Sequence, residues 1–345
     1  MRVDVMTGGL GLRAFQRFAR RAADAGFSGL VITEAGRTAY LAAAAAALAD
    51  VDLDLLTGIA VAFPRSPMVT AATAWELAEA SEGRFRLGLG PQVRAHVERR
   101  YAAEFDPPGP RMKEYVLALR AIFRAFRGVE PLSFHGDYYD LSLLPPMWSP
   151  GPIAVGDPPI DLAAVNPWML RMAGEVADGV HVHPLNTPTY LRETVVPNVA
   201  VGATRAGRDP SEVALIVPCF TIAGDTDAER SVWRERSRTM VAFYGSTPNY
   251  AFLFDQIGAP GTTDRIRAAQ KAGDFAGMSA AVPDDVLAHF TVEGSWHELP
   301  ERIVERYAGI AARVVLYHAA TGRQDGEDVF DRFGAVARAV VAATA

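Results

Sequence analysis

Two side chains that can transfer protons stand near the ends of apolar, strand-like runs. Glu34 lies near the end of GLVITEA, and His183 lies near the end of GVHVHP, next to Pro184. A carboxylate or an imidazole held at such a place can act as a general acid or base. The alternative for Glu34 is a helix cap or an ion pair with Arg37. Tyr244, in FYGSTP, is a third candidate proton donor, and its alternative is packing in the core.

The elements that would position these side chains alternate along the chain. Each strand-like run is followed by a helical pattern, with glycine, serine or proline at the boundaries. The predicted strands cover 2–7, 29–35, the first part of 53–67, 84–90, 159–165, 179–184, 212–224 and 312–319. Eight strands alternating with eight helices predict an α/β fold, a (β/α)8 TIM barrel. A doubly wound sheet is the runner-up, but GGLGL lacks the G-x-G-x-x-G spacing expected of that fold.

The barrel is expected to be a single domain over 1–345, with insertions at about 128–158 and 245–298. Active sites of such barrels lie at the carboxyl ends of the strands. Placement alone therefore selects the candidate site residues, which are Thr7–Gly9, Thr33–Glu34, Ala62–Phe63, Gly90–Val93, Asn166–Met169, His183–Asn186, Gly224 and Tyr317–His318.

Composition and charge narrow the function classes. Half of the 345 residues are hydrophobic and 21% are charged, which is typical of a globular protein. The net charge of −6 argues against a nucleic-acid or membrane partner. Cys219 is the single cysteine, the histidines show no zinc-binding spacing, and the N-terminus lacks the apolar core of a signal peptide. We therefore expect a cytoplasmic protein without a metal site.

Gly58 raises a specific question, because it interrupts the strand-like run LDLLTGIAVAFPRSP. Glycine weakens a strand interior and is used at bulges, at barrel corners or where a ligand approaches the backbone closely. The residue types at this point of the chain leave these explanations open.

Three stretches carry a resemblance to a known family. They are TGIAVAFPRSPMVTAATAWELAEASEGRFRLGLGPQVRAHVERRY, LAAVNPWMLRMAGEVADGVHVHP and FYGSTPNY. They resemble the luciferase-like monooxygenase superfamily, most closely its coenzyme F420-dependent oxidoreductase branch. The similarity extends over nearly the whole chain, and its implied fold is the same TIM barrel.

The resemblance implies how a ring cofactor would bind. Family members often carry a bulge with a non-proline cis peptide on the third strand, here Gly58–Ile59, which presses against the flavin or deazaflavin ring. The turn at Asn166 would hold the cofactor phosphate, although the family commonly has glycine there. Asparagine tolerates a left-handed backbone, so we expect the turn to be kept. The implied cofactor-binding residues are Gly58, Ile59, Ala60, Phe63, Gly90, Pro91, Gln92, Val93, Val165, Asn166, Pro167, Trp168 and Met169.

A basic run follows the fourth strand, with Arg94, His96, Arg99 and Arg100 close together. Such a run is usually a solvated helix face. The resemblance adds a second explanation, since coenzyme F420 carries a phosphodiester and an anionic polyglutamate tail that these side chains could bind.

The resemblance implies an enzyme that transfers a hydride between deazaflavin C5 and a small organic substrate. Relatives that oxidise alcohols often have histidine near the position of Glu34, so its absence favours reduction of an activated C=C or C=N bond. Glu34, His183 and Tyr244 are the candidates for proton delivery. Alternatives are an FMN-dependent monooxygenase and a non-catalytic barrel that binds a flavin or a partner. A homodimer is expected on the resemblance alone.

Overall fold

Eight parallel strands close into a barrel in the computed structural model, which describes residues 1–324 and 327–345. We number the barrel strands in chain order. They are β1 (Arg2–Thr7), β2 (Gly29–Ile32), β3 (Asp54–Thr57), β4 (Phe85–Gly90), β5 (Ile160–Ala163), β6 (Gly179–His181), β7 (Ala214–Ala223) and β8 (Arg313–Leu316). The predicted fold class is confirmed, and the assignment of the whole chain to a single domain stays a prediction.

The strands follow one another around the barrel in chain order. Val5 in β1 lies between Leu30 of β2 and Leu316 of β8. The ring is completed by the pairing of β6 with the first residues of β7 and of β7 with β8. Because all strands are parallel, their carboxyl ends share one rim, as expected for a barrel of this kind.

Helices cover the outside of the barrel, and their starts follow simple sequence signals. Ser66 accepts a hydrogen bond from the Val69 N–H and Pro67 occupies the first helical position, a favourable helix start. The helices are Leu12–Ala25, Ala39–Ala47, Pro67–Ala80, Arg94–Tyr101, Pro108–Phe126, Pro167–Val176, Pro188–Tyr190, Val196–Arg205, Asp227–Gly245, Ala251–Gln256, Thr262–Lys271, Phe275–Ala280, Asp284–Ala288, Leu299–Tyr307 and Glu327–Ala343. Within these described residues, no helix is long and apolar enough to cross a bilayer.

The inside of the barrel is filled in layers that differ in polarity. An apolar layer of Val31, Leu56, Ile216 and Val315 is completely buried. Towards the amino ends of the strands, Arg313 forms a two-pronged ion pair with Asp4, with Nε and Nη2 each 2.6 Å from a carboxylate oxygen. This packing fills the lower part of the barrel, so the carboxyl rim is where a ligand can bind.

Both insertions contain secondary structure, and the first has the hairpin that its stretch PLSFHGDYYDL indicates. The first contains the antiparallel hairpin Phe134–His135 and Asp140–Leu141, anchored where the Glu114 carboxylate accepts backbone N–H groups from 137–139. The second contains four of the helices given above and a strand, Thr291–Gly294, that pairs with Phe220–Ala223. That strand was not predicted, because β7 extends beyond the barrel only where this later segment covers it.

Candidate active site

The break after β3 explains the glycine at position 58. The Gly58–Ile59 peptide is cis, as the resemblance implied, and the chain resumes as the short strand Ala60–Val61. A Cβ atom on Gly58 would collide with Cγ1 of Val31 in the barrel interior. The Gly58 N–H donates to the Ile32 carbonyl at 2.8 Å, which holds the glycine against β2. Glycine is thus required here by the close approach of β2.

Ile59 lies across the top of the neighbouring strands. A Cβ atom on Gly90 would be 3.0 Å from Cδ1 of Ile59 and 3.2 Å from Cβ of Ala163. The Ala62 N–H donates to the Gly90 carbonyl at 3.0 Å, so the segment after the cis peptide is fixed to the end of β4. We call Gly58–Ala60 together with Gly90 the platform. Gly58 and Ile59 are half-buried there, whereas Ala60 and Gly90 are buried, so the backbone at position 58 and the Ile59 side chain form the part that a ligand can contact.

Glu34 contacts the segment that directly follows the platform, and both oxygens of its carboxylate are occupied. Oε2 accepts hydrogen bonds from the Val61 N–H at 2.8 Å and from Arg65 Nη1 at 3.0 Å, and Oε1 pairs with Arg65 Nη2. The Glu34 side chain is only 4% exposed. The sequence alternative, an ion pair of Glu34 with Arg37, is therefore confirmed as an ion pair but is wrong about the partner. Arg37 donates instead to the carbonyl of Gly9.

The turn at Asn166 begins the helix Pro167–Val176. Asn166 has an extended backbone with φ of −80°, so the expectation of a left-handed turn is wrong. Its side chain accepts a hydrogen bond from the Met169 N–H at 2.9 Å and so caps the helix. The Val165 carbonyl accepts a hydrogen bond from the Tyr190 hydroxyl at 2.6 Å. An anion at this helix start would compete with the Asn166 side chain for the Met169 N–H.

The segment after β4 turns sharply at Gln92, which has a left-handed backbone with φ of 62°. Its side chain accepts a hydrogen bond from the Val93 N–H at 2.9 Å. Arg94, the first member of the basic run, forms a two-pronged ion pair with Asp106 and also donates to Glu98 at 2.9 Å. Two carboxylates thus neutralise Arg94, which argues against a role for it in binding an anionic tail.

Four rings from separate elements meet at the carboxyl ends of β6 to β8, and we call them the aromatic cluster: His183, Tyr244, Tyr250 and Tyr317. The His183 ring centre is 4.8 Å from that of Tyr244 and 4.1 Å from that of Tyr250. The hydroxyl oxygens of Tyr244 and Tyr317 are 2.7 Å apart. Two predicted proton donors, His183 and Tyr244, are thereby brought into contact.

The cluster is arranged to donate hydrogen bonds. His183 Nδ1 accepts from the Leu185 N–H at 3.1 Å, so the proton of the neutral ring is on Nε2. Burial lowers the pKa of His183 to about 4, so the ring is neutral at pH 7. Burial also raises the pKa values of Tyr244 and Tyr317, which keeps both hydroxyls protonated.

His181 lies inside the barrel, one layer below His183. Its ring is packed against Gly58 and Gly88, since a Cβ atom on Gly88 would be 2.5 Å from Nε2. Among the described residues, this buried Nε2 has no hydrogen-bond partner. Burial lowers the pKa of His181 to about 4, which keeps the ring uncharged.

The remaining strand-end candidates separate into two groups. Asn186 supports the cluster, because its amide donates to the carbonyls of His183 and of Pro218 at 3.0 Å and 2.9 Å. His318 belongs to the outer packing, where its Nε2 is 3.2 Å from the Ser237 hydroxyl. Gly224 continues the added strand pairing by donating to the carbonyl of Gly294.

Two residues of the aromatic cluster had no predicted role. Tyr317 was selected as a strand-end residue without a role, and Tyr250 was not selected at all. Tyr250 lies in the quoted stretch FYGSTPNY, six residues after Tyr244. The closeness of the two tyrosines in the sequence could have drawn attention to Tyr250. It does not predict the short turn Pro248–Tyr250, which brings the Tyr250 ring to His183.

The platform and the aromatic cluster lie at the carboxyl rim of a parallel (β/α)8 barrel, and comparison with known proteins specifies the family. The luciferase-like monooxygenase family model matches residues 1–313. The chain therefore belongs to the luciferase-like monooxygenase family, and it is an oxidoreductase.

Two relatives are similar over most of their length. The uncharacterized protein Rv1360 of Mycobacterium tuberculosis is 36% identical over 311 residues, which are 88% of this chain and 92% of the relative. The 5,10-methylenetetrahydromethanopterin reductase of Methanolobus tindarius is 30% identical over 293 residues, 84% of this chain and 85% of the relative.

Two solved structures share the fold. The coenzyme F420-dependent tetrahydromethanopterin reductase of Methanopyrus kandleri matches with a TM-score of 0.80 at 20% identity, over 100% of this chain and 99% of that one. The oxygenating constituent of 3,6-diketocamphane monooxygenase from Pseudomonas putida, solved with FMN, matches with a TM-score of 0.66 at 17% identity, over 99% and 98%. The fold alone thus accommodates either cofactor.

Proposed function

We propose that this protein is a coenzyme F420-dependent oxidoreductase that reduces an activated C=C or C=N bond in a small organic substrate. The observation that carries the proposal is the half-buried platform at Gly58–Ile59, which lies at the same carboxyl rim as the neutral donors of the aromatic cluster. The similarity to a methylenetetrahydromethanopterin reductase over 84% of the chain supports a reductase that uses a deazaflavin.

The residues present fit a flat ring cofactor. Gly58 and Ile59 are half-buried at the carboxyl rim, and Ile59 offers an aliphatic contact surface. The residues that would hold the ring are those of the platform with Phe63. The segment Gly90–Val93 and the helix start at 165–169 would hold the rest of the cofactor, where a phosphate would replace the Asn166 side chain at the Met169 N–H. A deazaflavin bound there would supply a hydride donor or acceptor at C5.

Reduction of a C=C or C=N bond adds a hydride to one atom and a proton to the other. The protein's part is to orient the substrate and to supply that proton. The protonated hydroxyl pair of Tyr244 and Tyr317 is the first source, and the Nε2–H of His183 is the second. Glu34 is a weaker source, because Arg65 and the Val61 N–H already occupy its oxygens.

The second candidate is an FMN-dependent monooxygenase on the same scaffold, and the fold shared with an FMN enzyme supports it. A binding titration with each cofactor, followed by fluorescence, separates the two. Tight binding of coenzyme F420 with weak binding of FMN is the expected result. We further propose a homodimer on the resemblance, and a cytoplasmic location because the single cysteine, Cys219, fits a reducing compartment. The partner we propose is a small-molecule substrate.

A further inference from the structure

The short strand Ala60–Val61 has a neighbour on one edge and a gap on the other. On one side it pairs with β4, where Val61 lies opposite Gly90. On the other side β2 has already ended at Ile32, after its last pairing with Thr57. The N–H and C=O groups of Val61 point to that side, because a residue of a strand directs both groups to the same edge. Without a partner, these buried groups would destabilise the segment.

Glu34 and Arg65 occupy the place of the missing strand. The Glu34 carboxylate accepts the Val61 N–H at 2.8 Å, and Arg65 Nη1 donates to the Val61 C=O at 2.8 Å. The same guanidinium pairs with both oxygens of Glu34. The ion pair therefore closes a ring of hydrogen bonds with Val61, two residues after the cis peptide.

The surroundings fix the pair in one arrangement. The side chains of Glu34 and Arg65 are 4% and 19% exposed. The guanidinium carbon is 5.0 Å from the centre of the Tyr40 ring, and the Tyr115 hydroxyl donates to the Arg65 carbonyl at 3.1 Å. A two-pronged arginine–carboxylate pair has a defined geometry that lysine cannot reproduce. The position of Val61 is thus set by the geometry of this pair.

We propose that Glu34 and Arg65 are a positioning pair that holds the platform in the conformation that binds the ring cofactor. The inference rests on the proposed function for the identity of the ligand at the platform. It changes the role of Glu34 from proton donor to support, and it gives a role to Arg65, which the sequence analysis did not select.

The test compares Arg65→Lys with the matched control Arg86→Lys. Arg86 forms a similar two-pronged pair with Asp161, and its side chain is 21% exposed, close to the 19% of Arg65. Arg86 precedes Leu87 in β4, away from the carboxyl rim. Both variants keep the positive charge and lose the two-pronged geometry. Glu34→Gln serves as a second variant, because it keeps the shape of the side chain and removes its charge.

Two readouts are made on each protein. Amide hydrogen exchange of the segment 58–63 is measured without cofactor, and binding of coenzyme F420 and of FMN is measured by fluorescence titration. We expect Arg65→Lys and Glu34→Gln to speed exchange at Val61 by about tenfold or more and to weaken cofactor binding by about tenfold. Arg86→Lys should leave both values as in the wild type.

The outcomes separate this inference from the proposed function. Unchanged exchange at Val61 in Arg65→Lys and Glu34→Gln would overturn the positioning role, and so would faster exchange with wild-type cofactor affinity. Equal effects of Arg86→Lys would overturn it as well, since the change would then be a general loss of stability. If the wild type binds neither cofactor, the proposed function fails, and hydrogen exchange still decides whether the pair fixes the segment.

Discussion

The hydroxyl oxygens of Tyr244 and Tyr317 lie 2.7 Å apart, although the two residues belong to different elements. Tyr244 is in the last turn of the helix Asp227–Gly245, and Tyr317 directly follows β8. In such a pair one hydroxyl donates to the other, and the proton of the second hydroxyl remains available for another acceptor. The pair can therefore present one donor to a substrate at the carboxyl rim of the barrel.

Removal of either hydroxyl is predicted to reduce turnover. Tyr244→Phe and Tyr317→Phe each break the pair. The variant that removes the hydroxyl facing the substrate should lose about a hundredfold in kcat. Cofactor affinity should stay within about twofold, because neither hydroxyl belongs to the platform. Tyr139→Phe, which removes the hydroxyl of a half-buried tyrosine at the hairpin, is the control. Steady-state kinetics on a substrate found with the reduced coenzyme give the answer, and a double variant with wild-type kcat would exclude the pair from the chemistry.

The platform is predicted to be sensitive to a single methyl group at position 90. In Gly90→Ala the new Cβ would lie 3.0 Å from Cδ1 of Ile59, so the Ile59 side chain, which forms the contact surface of the platform, must shift. We expect cofactor affinity to fall by about tenfold while the thermal midpoint changes by only a few degrees, since the end of a side chain can shift. Gly156→Ala has open space around its Cβ and serves as the control. Equal cofactor affinities of Gly90→Ala and Gly156→Ala would show that the ring does not bind at this surface.

Buried neutral histidines are predicted to make the protein less stable in mild acid. Burial lowers the pKa values of His181 and His318 from 6.5 to about 4. Above pH 6.5 each ring is neutral in both states, and as the pH falls towards 4 the unfolded chain takes up the proton first. The free energy of unfolding should therefore fall by about 2 kcal/mol for each ring between pH 7 and pH 5.

The variant His318→Gln isolates one of these contributions. His318 lies outside the candidate site, beside Ser237 and Trp233. Urea unfolding at pH 5 and pH 7 should show a smaller difference for the variant than for the wild type, by about 2 kcal/mol. An identical difference in the two proteins would mean that His318 is already charged or accessible in the folded state.

The barrel could be predicted because its signals are local. Alternating apolar runs and helical patterns, with caps such as Ser66 and Pro67, defined every barrel strand to within a few residues. The strand Thr291–Gly294 escaped prediction because its pairing with the end of β7 is a long-range contact without a local signal. Residue patterns describe neighbours in sequence, whereas this pairing depends on where a later segment returns.

Single residues of the site could be predicted, but not the contacts between them. The strand-end rule placed His183 at the rim, and the family resemblance pointed to the cis peptide at Gly58–Ile59. The partners of these residues could not be read from the sequence. Arg65 is 31 residues from Glu34, and Tyr317 is 73 residues from Tyr244. Such contacts are made by the closure of the barrel, so the chemistry of each residue could be proposed but not its surroundings.

The most direct test of the account is a fluorescence titration of the purified protein with coenzyme F420 and, separately, with FMN. We expect saturable, tight binding of coenzyme F420 and FMN binding at least about tenfold weaker, with the affinity for coenzyme F420 reduced in Gly90→Ala. Preference for FMN would contradict the deazaflavin assignment and favour an oxygen-using monooxygenase, and binding of neither cofactor would contradict the proposed function as a whole.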